Sequence, residues 1–252
     1  MLNYIKAELW KAVRRRGIVI FYLVLFLLAA TFCVEVSGGR FEDLASGVCV
    51  VLILGMLMGP ILAHQVDGHT QETLKNELSF GLSRGRIYLG KLIAVLVIGL
   101  LMAGSILAVC VGGGWLLTDH STNPQAAQVS LEVLLFALAG AVPLWCGMAA
   151  VCHMAALLIS STAVWASGYY ILFFFGQPIL LLIAAAFFHG NTSCWQINLL
   201  EAILMPYTLL MPQFLSGWLT WGYQVWCWSI GMGWLLVSAL VGFLLFRRKE
   251  IH

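Results

Sequence analysis

Long apolar runs alternate with short polar segments along the whole chain. A helix needs about 20 consecutive, mainly apolar residues to cross the hydrocarbon core of a bilayer. The runs predict an all-α polytopic membrane protein with six transmembrane helices, forming a single domain over residues 1–252. The predicted spans are approximately 17–36, 44–64, 91–117, 131–152, 163–188 and 224–246.

Helix-breaking residues interrupt two of these spans. Pro143 lies inside the fourth span, where a proline frees one carbonyl and bends the helix unless neighbouring groups compensate. Gly176 and Pro178 lie inside the fifth span and predict a break there.

The longest polar, mixed-charge segment is residues 67–91, between the second and third spans. A helical reading of Thr70–Phe80 places Leu74, Leu78 and, roughly, Glu77 on one side. This pattern predicts a short helix that lies flat on the membrane surface. Such a helix is positioned to contact a soluble partner.

Suitable residues stand at both ends of that short helix. Thr70 can cap its N-terminus, and Glu72 lies in the first turn, where the helix dipole favours an anion. Gly81 follows as a stop signal. A basic shoulder then leads into the third span at Lys91.

Residues 1–16 predict an amphipathic helix at the membrane surface. Its apolar stripe consists of Leu2, Ile5, Leu9, Ala12 and Val13. Its expected anchors at the headgroups of an anionic leaflet are Lys6, Trp10, Lys11, Arg14, Arg15 and Arg16. Alternatively, the basic residues only anchor the first span, with the same orientation.

The segment between the fifth and sixth spans is rich in aromatic residues, as interfacial belts are. We predict two short helices at the outer interface, over 198–205 and 213–219. Glu201, Pro206 and Pro212 are a candidate outer gate, although Glu201 also fits a purely structural role. Cys194 and Cys227 can both face outward and pair, but spacing alone fixes no connectivity.

Composition and charge exclude a water-soluble core. Hydrophobic residues make up 62% of the chain and charged residues 10%, against about 25% charged in soluble domains. Of the 13 Lys and Arg residues, only Arg40 falls on the side opposite both termini. The positive-inside rule therefore predicts that both termini are cytoplasmic. We expect the lipid bilayer, and no nucleic acid, as a partner.

Ligand-type residues cluster at one membrane exit. His64, Asp67 and His69 suit a metal by residue type, but Gly68 interrupts any helix that would align them. We favour the interpretation that they are ordinary polar residues at the end of a span. An embedded metal enzyme that uses them remains the alternative.

No energy source is evident in the chain itself. Residues 85–91 nearly match a phosphate-binding loop, but Leu92 stands where a hydroxyl must contact magnesium. Glu35, Glu132 and His153 lie near span ends rather than at midplane, which leaves little for a proton relay. We therefore predict no catalytic residue, no metal site and no cofactor bound by this chain.

These features together resemble the ABC-2 permeases, the membrane subunits of type-2 ABC exporters, over the whole chain. Those permeases have an interfacial helix before the first span, a coupling helix between spans 2 and 3, and two short outer helices between spans 5 and 6. The most specific likeness is a Gly-Leu-Ser-Arg shoulder followed by Gly-Lys. The matching positions are Gly68, Thr70, Leu74, Gly81, Leu82, Ser83, Arg84, Gly90 and Lys91. His69 departs from the pattern by separating Gly68 from Thr70.

The resemblance implies two permease subunits, identical or paralogous, with two cytoplasmic ATPase subunits that hold ATP and Mg. It implies outward movement, across a bacterial cytoplasmic membrane, of a hydrophobic or amphipathic cargo such as an antimicrobial peptide or a drug, as in small permeases for lantibiotic-like peptides. The implied ATPase-coupling residues are Thr70, Glu72, Leu74, Lys75, Glu77, Leu78, Gly81, Ser83 and Arg84. The alternative is a non-catalytic immunity or sensor protein that binds a peptide at the Trp-rich outer segment.

Overall fold

The computed structural model describes residues 1–68, 70–119, 121–211 and 220–248. These residues form eleven α-helices and one 3₁₀-helix, without a strand. In chain order the helices are α1 Leu2–Val13, α2 Arg16–Glu35, α3 Phe41–Leu57, α4 Gly59–Asp67, α5 Thr70–Ser79, α6 Arg84–Leu117, α7 Pro124–Leu158, α8 Thr162–Phe174, α9 Gln177–Phe187, α10 Trp195–Leu204, the 3₁₀-helix Pro206–Leu210, and α11 Trp221–Arg248.

Four of the described helices, α2, α6, α7 and α11, are each long and apolar enough to cross a membrane. Two further pairs pass the same test together but are bent, α3–α4 by 41° and α8–α9 by 55°. The all-α polytopic fold predicted from the sequence is confirmed. The count reaches the predicted six spans if each bent pair is one span.

The break in the fifth span falls where Gly176 and Pro178 predicted it. Helix α8 ends at Phe174 and α9 begins at Gln177, with Pro178 in its first turn. Proline is tolerated there because the first backbone N–H groups of a helix have no intrahelical acceptor.

The bend between α3 and α4 was not predicted. Two tyrosines of α8 stabilise it, because Tyr169 Oη donates to the Met56 carbonyl and Tyr170 Oη to the Leu57 carbonyl, each at 2.8 Å. Those carbonyls lie at the end of α3, where the last four C=O groups lack intrahelical partners. Helix α8 thus contacts the chain at the point where α3 passes into α4.

Helix α7 lies at the centre of the bundle. In its most apolar window 56% of the residues are buried, against 17–22% in the other three long helices. The helix continues through Pro143 from end to end and is longer than the predicted span 131–152. Helix α11 approaches it so closely that a Cβ on Gly231 would lie 2.3 Å from the Pro143 carbonyl carbon.

Several predicted boundaries change. Helix α6 begins at Arg84 rather than near Lys91, so the basic shoulder is helical. The first predicted outer helix is α10, shifted to Trp195–Leu204, whereas the second, 213–219, lies outside the described residues. Cys194 and Cys227 are both free, with Cys227 buried in α11, so the structure does not contain that disulfide.

The bundle has two ends. At the far end the loops after α2 and α6 are joined by hydrogen bonds from Gly38 N to Leu117 O and from Asp119 N to Gly39 O. At the terminal end, which carries α1, α4, α5 and the start of α6, Arg84 Nη1 donates to the Arg247 carbonyl at 3.1 Å. The polar helix α5 therefore lies at the same end as the last turn of α11.

Candidate functional site

Helix α5 packs one face against the chain itself. Leu74 is 4% exposed and Glu77 8%, and Leu78 is half-buried. Leu74 belongs to a hydrophobic cluster with Ile87 and Tyr88 of α6. The three residues do share a face, as their spacing predicted. Leu74 packs within this chain, and its assignment as an ATPase-coupling residue stays a prediction.

The end of α5 follows the predicted stop signal. Gly81 has φ +78°, a left-handed conformation that glycine adopts without a steric cost. Its N–H donates to Leu78 O at 2.9 Å, and Leu82 N donates to Glu77 O at 3.4 Å. Phe80, immediately before this turn, is 84% exposed.

The remaining predicted coupling residues fall into two groups. Ser83 is the N-cap residue of α6, and Arg86 N donates to its carbonyl at 2.9 Å. Arg84 contacts α11 as described above. The side chains of Thr70, Glu72 and Lys75 lie outside the described part of the structure.

Four charged residues, Glu8, Lys11, Glu77 and Lys91, form a cluster between α1, α5 and α6, called here the four-charge cluster. Lys91 is 1% exposed, and its Nζ lies 2.8 Å from Glu8 Oε2 and 3.5 Å from Glu77 Oε1. Lys11 Nζ lies 2.5 Å from Glu8 Oε1 and 3.5 Å from Glu77 Oε1. Two carboxylates thus face two ammonium groups, so the buried charges compensate each other.

Helix α1 is oriented differently from the prediction because of this cluster. Its polar residues Glu8 and Lys11 face α6, while Leu2 and Val13, at 66% and 62% exposure, face outward. Of the predicted apolar stripe only Ala12 is fully buried, and Ile5 and Leu9 are half-buried.

Tyr4 completes the contact between α1 and α5. Its Oη donates to Glu77 Oε2 at 3.0 Å. Its ring occupies the space beside Gly90, where a Cβ would come within 2.5 Å of the ring. The Gly-Lys pair at 90–91 therefore has a physical explanation: Gly90 admits Tyr4, and Lys91 neutralises the acidic residues of α1 and α5.

Electrostatics favour the ionised form of Glu8 in the cluster. Burial raises the pKa of Glu8, but the nearby ammonium groups of Lys91 and Lys11 lower it by more, so the net pKa is below its usual value. The pKa of the Tyr4 phenol is raised by burial and then by the negative charges of Glu8 and Glu77, so Tyr4 keeps its proton and acts as a donor.

A second buried polar contact holds the end of α4, just before α5. His153 Nδ1 of α7 lies 2.7 Å from Asp67 Oδ2, and both side chains have no solvent exposure. His153 Nε2 lies 3.3 Å from the Tyr88 carbonyl of α6. Asp67 therefore joins α4 to α7 and, through His153, to α6. Among the residues described, no group of three His, Cys, Asp or Glu could hold a metal ion. Asp67 pairs with His153 instead.

Arg15 fixes the same end of α4. Its Nη1 donates to Gln65 O at 2.5 Å and to Val66 O at 3.0 Å. A cation that binds the last carbonyls of a helix satisfies their hydrogen bonds and interacts favourably with the helix dipole. Arg15 was predicted as a lipid anchor, but in the structure its guanidinium binds the protein.

Comparison with known proteins identifies the family of the chain. A family described as ABC-2 family transporter protein matches residues 4–166, a range that contains the four-charge cluster and the Asp67–His153 pair. The chain belongs to the ABC-2 transporter family. No curated protein matches it. As an ABC-2 permease it is a membrane component of an ABC transporter, and the family implies association with ABC ATPase subunits.

The other predicted anchors of this ABC-2 permease remain at its surface. Lys6, Arg14 and Arg16 are exposed, and Trp10 is 59% exposed with the Arg14 guanidinium 3.9 Å from its ring centroid. Their role as headgroup anchors stays a prediction, whereas Lys11 belongs to the four-charge cluster.

The predicted outer gate of the permease is only partly described. Pro206 begins the 3₁₀-helix and is buried, Glu201 is half-buried on α10, and Pro212 lies outside the described residues. Trp234 Nε1 of α11 donates to the Ile203 carbonyl at 2.9 Å, which holds α10 against the bundle.

A cavity of about 280 Å³ lies between α2, α3, α6 and α7 of the permease. Its lining is almost wholly apolar and includes Leu25, Leu28, Ala103 and Trp145. The indole Nε1 of Trp145 already donates to the Leu52 carbonyl at 2.9 Å, so it offers no free donor to an occupant. The cavity suits hydrocarbon rather than charged groups.

Proposed function

We propose that this chain is the permease subunit of an ATP-driven exporter that moves a hydrophobic or amphipathic cargo outward. Two chains, identical or paralogous, assemble with two cytoplasmic ATPase subunits, which bind ATP and Mg and supply the energy. Both termini lie in the cytoplasm of a bacterial cell, on the side that the basic residues favour by the positive-inside rule.

The observation that carries this proposal is the position of α5. It stands at the terminal end between two apolar spans, and its inner face is fixed by Leu74 and Glu77. Outward it presents Asn76, Ser79 and the adjacent Phe80, all exposed. An aromatic ring that is 84% exposed beside a polar helix suits a pocket on a soluble partner. We assign the ATPase contact to this outer face.

The apolar cavity supports a hydrophobic cargo. It lies among four membrane-spanning elements and is lined by hydrocarbon, so a peptide or drug with apolar groups would gain by burying them there. The outward direction follows from the family resemblance.

Co-purification tests the proposal. The chain is expressed with its candidate ATPase, extracted, and isolated through a tag on the permease, and bound ATPase and ATP hydrolysis are measured. We expect Phe80→Ala to reduce the bound ATPase by roughly ten-fold, as loss of a central aromatic contact does. Phe175→Ala is the matched control, because Phe175 is 70% exposed at the α8–α9 bend, away from α5. Equal retention of ATPase by both variants would contradict the assignment.

An immunity or sensor role is the second candidate, favoured by two exposed indoles. Trp195, the first residue of α10, is 69% exposed, and Trp221, the first residue of α11, is 81% exposed. Aromatic side chains of this kind bind peptides well. Protection of cells that persists after deletion of the ATPase would favour this role over export.

A further inference from the structure

The segment from α4 to α5 is held by buried polar contacts at both of its ends, and the two ends differ. The first end comprises Asp67 with its partner His153, and the carbonyls of Gln65 and Val66 with Arg15. The second end comprises Glu77 with the four-charge cluster and Tyr4. The difference between them indicates how α5 moves.

The Asp67 end cannot open without a large penalty. The Asp67 and His153 side chains are both completely buried, and their contact is short at 2.7 Å. Separation would leave a polar group in a dry interior where water cannot replace the lost partner. Arg15 adds two hydrogen bonds to the last turn of α4, so this end is held from α7 and from the α1–α2 junction.

The Glu77 end can open at a lower cost, although Tyr4 then loses its acceptor and the two lysines share Glu8 alone. Glu77 Oε1 is 3.5 Å from each lysine, whereas both lysines have a closer carboxylate in Glu8, at 2.8 Å for Lys91 and 2.5 Å for Lys11. The Lys11 side chain is 41% exposed, so water has access to the edge of the cluster. Departure of Glu77 therefore leaves α1 and α6 joined through Glu8 and Lys91.

We propose that Asp67, His153 and Arg15 form a fixed pivot for α5, and that Glu77 forms its releasable contact. Binding of nucleotide to the partner ATPase turns α5 about its Asp67 end and withdraws Glu77 from Lys91, while Glu8 and Lys91 keep α1 attached to α6. These are positioning residues that set the path of the movement. The assignment rests on the proposed ATP-driven function.

Cysteine accessibility tests this directly and needs no knowledge of the cargo. Leu74→Cys and Val66→Cys are a matched pair, because both residues are buried, at 4% and 2% exposure, one on α5 and one on α4. Each variant is purified with its ATPase and labelled with a charged maleimide, without nucleotide and after trapping with ATP and vanadate. The unsubstituted chain, with its seven native cysteines, provides the background.

We expect trapping to increase labelling of Leu74→Cys by roughly ten-fold, a usual size for coupling between two sites, and to leave Val66→Cys unchanged. Adding Glu77→Gln should make Leu74→Cys reactive without nucleotide and keep Val66→Cys protected. Adding Asp67→Asn should make Val66→Cys reactive only after trapping. A merely structural role would instead expose both cysteines in the absence of nucleotide.

An equal increase at both cysteines, or continued protection of Leu74→Cys after trapping, overturns the pivot. A failure of the proposed function is seen earlier in the same preparation. If no ATPase co-purifies, or the complex hydrolyses no ATP, the exporter proposal is overturned and the pivot falls with it.

Discussion

Removal of the Lys91 charge should destabilise the protein more than removal of any surface lysine. Lys91→Met preserves most of the side-chain volume but leaves Glu8, itself 2% exposed, without its buried partner. Breaking a buried ion pair from one side costs about 3–5 kcal/mol. Lys11 still lies 2.5 Å from Glu8, but it is 41% exposed, and such a pair contributes about 1 kcal/mol at most. We therefore expect a loss of about 3 kcal/mol in the free energy of unfolding.

The assay is thermal unfolding of a fluorescent fusion in detergent, and size-exclusion chromatography measures the folded fraction that remains after heating. For a chain of this size about 3 kcal/mol corresponds to a fall in Tm of about 6–12 °C. Lys6→Met is the matched control, because Lys6 is an exposed lysine on α1, and its Tm should stay near wild type.

A double variant identifies the cause. Glu8→Met with Lys91→Met removes both charges, and replacing a buried pair by apolar groups is often close to neutral. We therefore expect the double variant to be more stable than Lys91→Met alone. If Lys91→Met behaves like Lys6→Met, or if the double variant loses the sum of both single effects, the electrostatic account of this cluster is wrong.

Two further predictions concern pH and helix packing. Folding lowers the pKa of Glu8 from its usual 4.5, so the contribution of Glu8 to stability is complete above that value and is lost as the pH falls through the lower folded pKa. When Tm is measured from neutral to acidic pH, it should therefore fall less in Glu8→Gln than in wild type. An equal fall in both proteins would contradict this. Gly231→Ala should lower Tm and cost about 1–3 kcal/mol or more, because the new Cβ meets the backbone at Pro143. Gly233→Ala, on the same helix with nothing within 4 Å of the added Cβ, should be tolerated. Equal stability of the two variants would refute the close approach of α7 and α11.

The membrane fold was predictable because it depends on the length of apolar runs, which the sequence displays directly. The break at Gly176 and Pro178 was also predictable, because both residues disrupt a helix locally. The bend before Gly59 depends instead on Tyr169 and Tyr170, more than a hundred residues away, whose hydroxyls bind the end of α3. Pro60, in the first turn of α4 and without an N–H for the Met56 carbonyl, is a local signal at this bend, but it could not reveal the two tyrosine contacts.

The sequence predicted helix α5 itself but not the contacts that its side chains make. The spacing of Leu74, Leu78 and Glu77 defined one face of α5, yet it could not say whether that face meets a partner or this chain. The answer depends on Lys91, which a sequence reading places at the start of a span and the structure buries beside two carboxylates. Glu8, a lone acidic residue in a basic helix, was the available signal of a buried ion pair. It could not be interpreted without knowing that Lys91 of α6 lies beside it.

The position of the buried charges bears on how an ABC-2 permease responds to its ATPase. A purely apolar contact between α1, α5 and α6 would resist separation in proportion to the area exposed, without preference for one end. Polar contacts are directional, and their cost of opening depends on whether a substitute partner is present. Here Glu77 leaves Lys91 paired with Glu8 and Lys11 within reach of water, whereas Asp67 would leave His153 in a dry interior. In the proposed pivot, the Glu8–Lys91 pair and the exposure of Lys11 therefore bias α5 toward rotation about its first end.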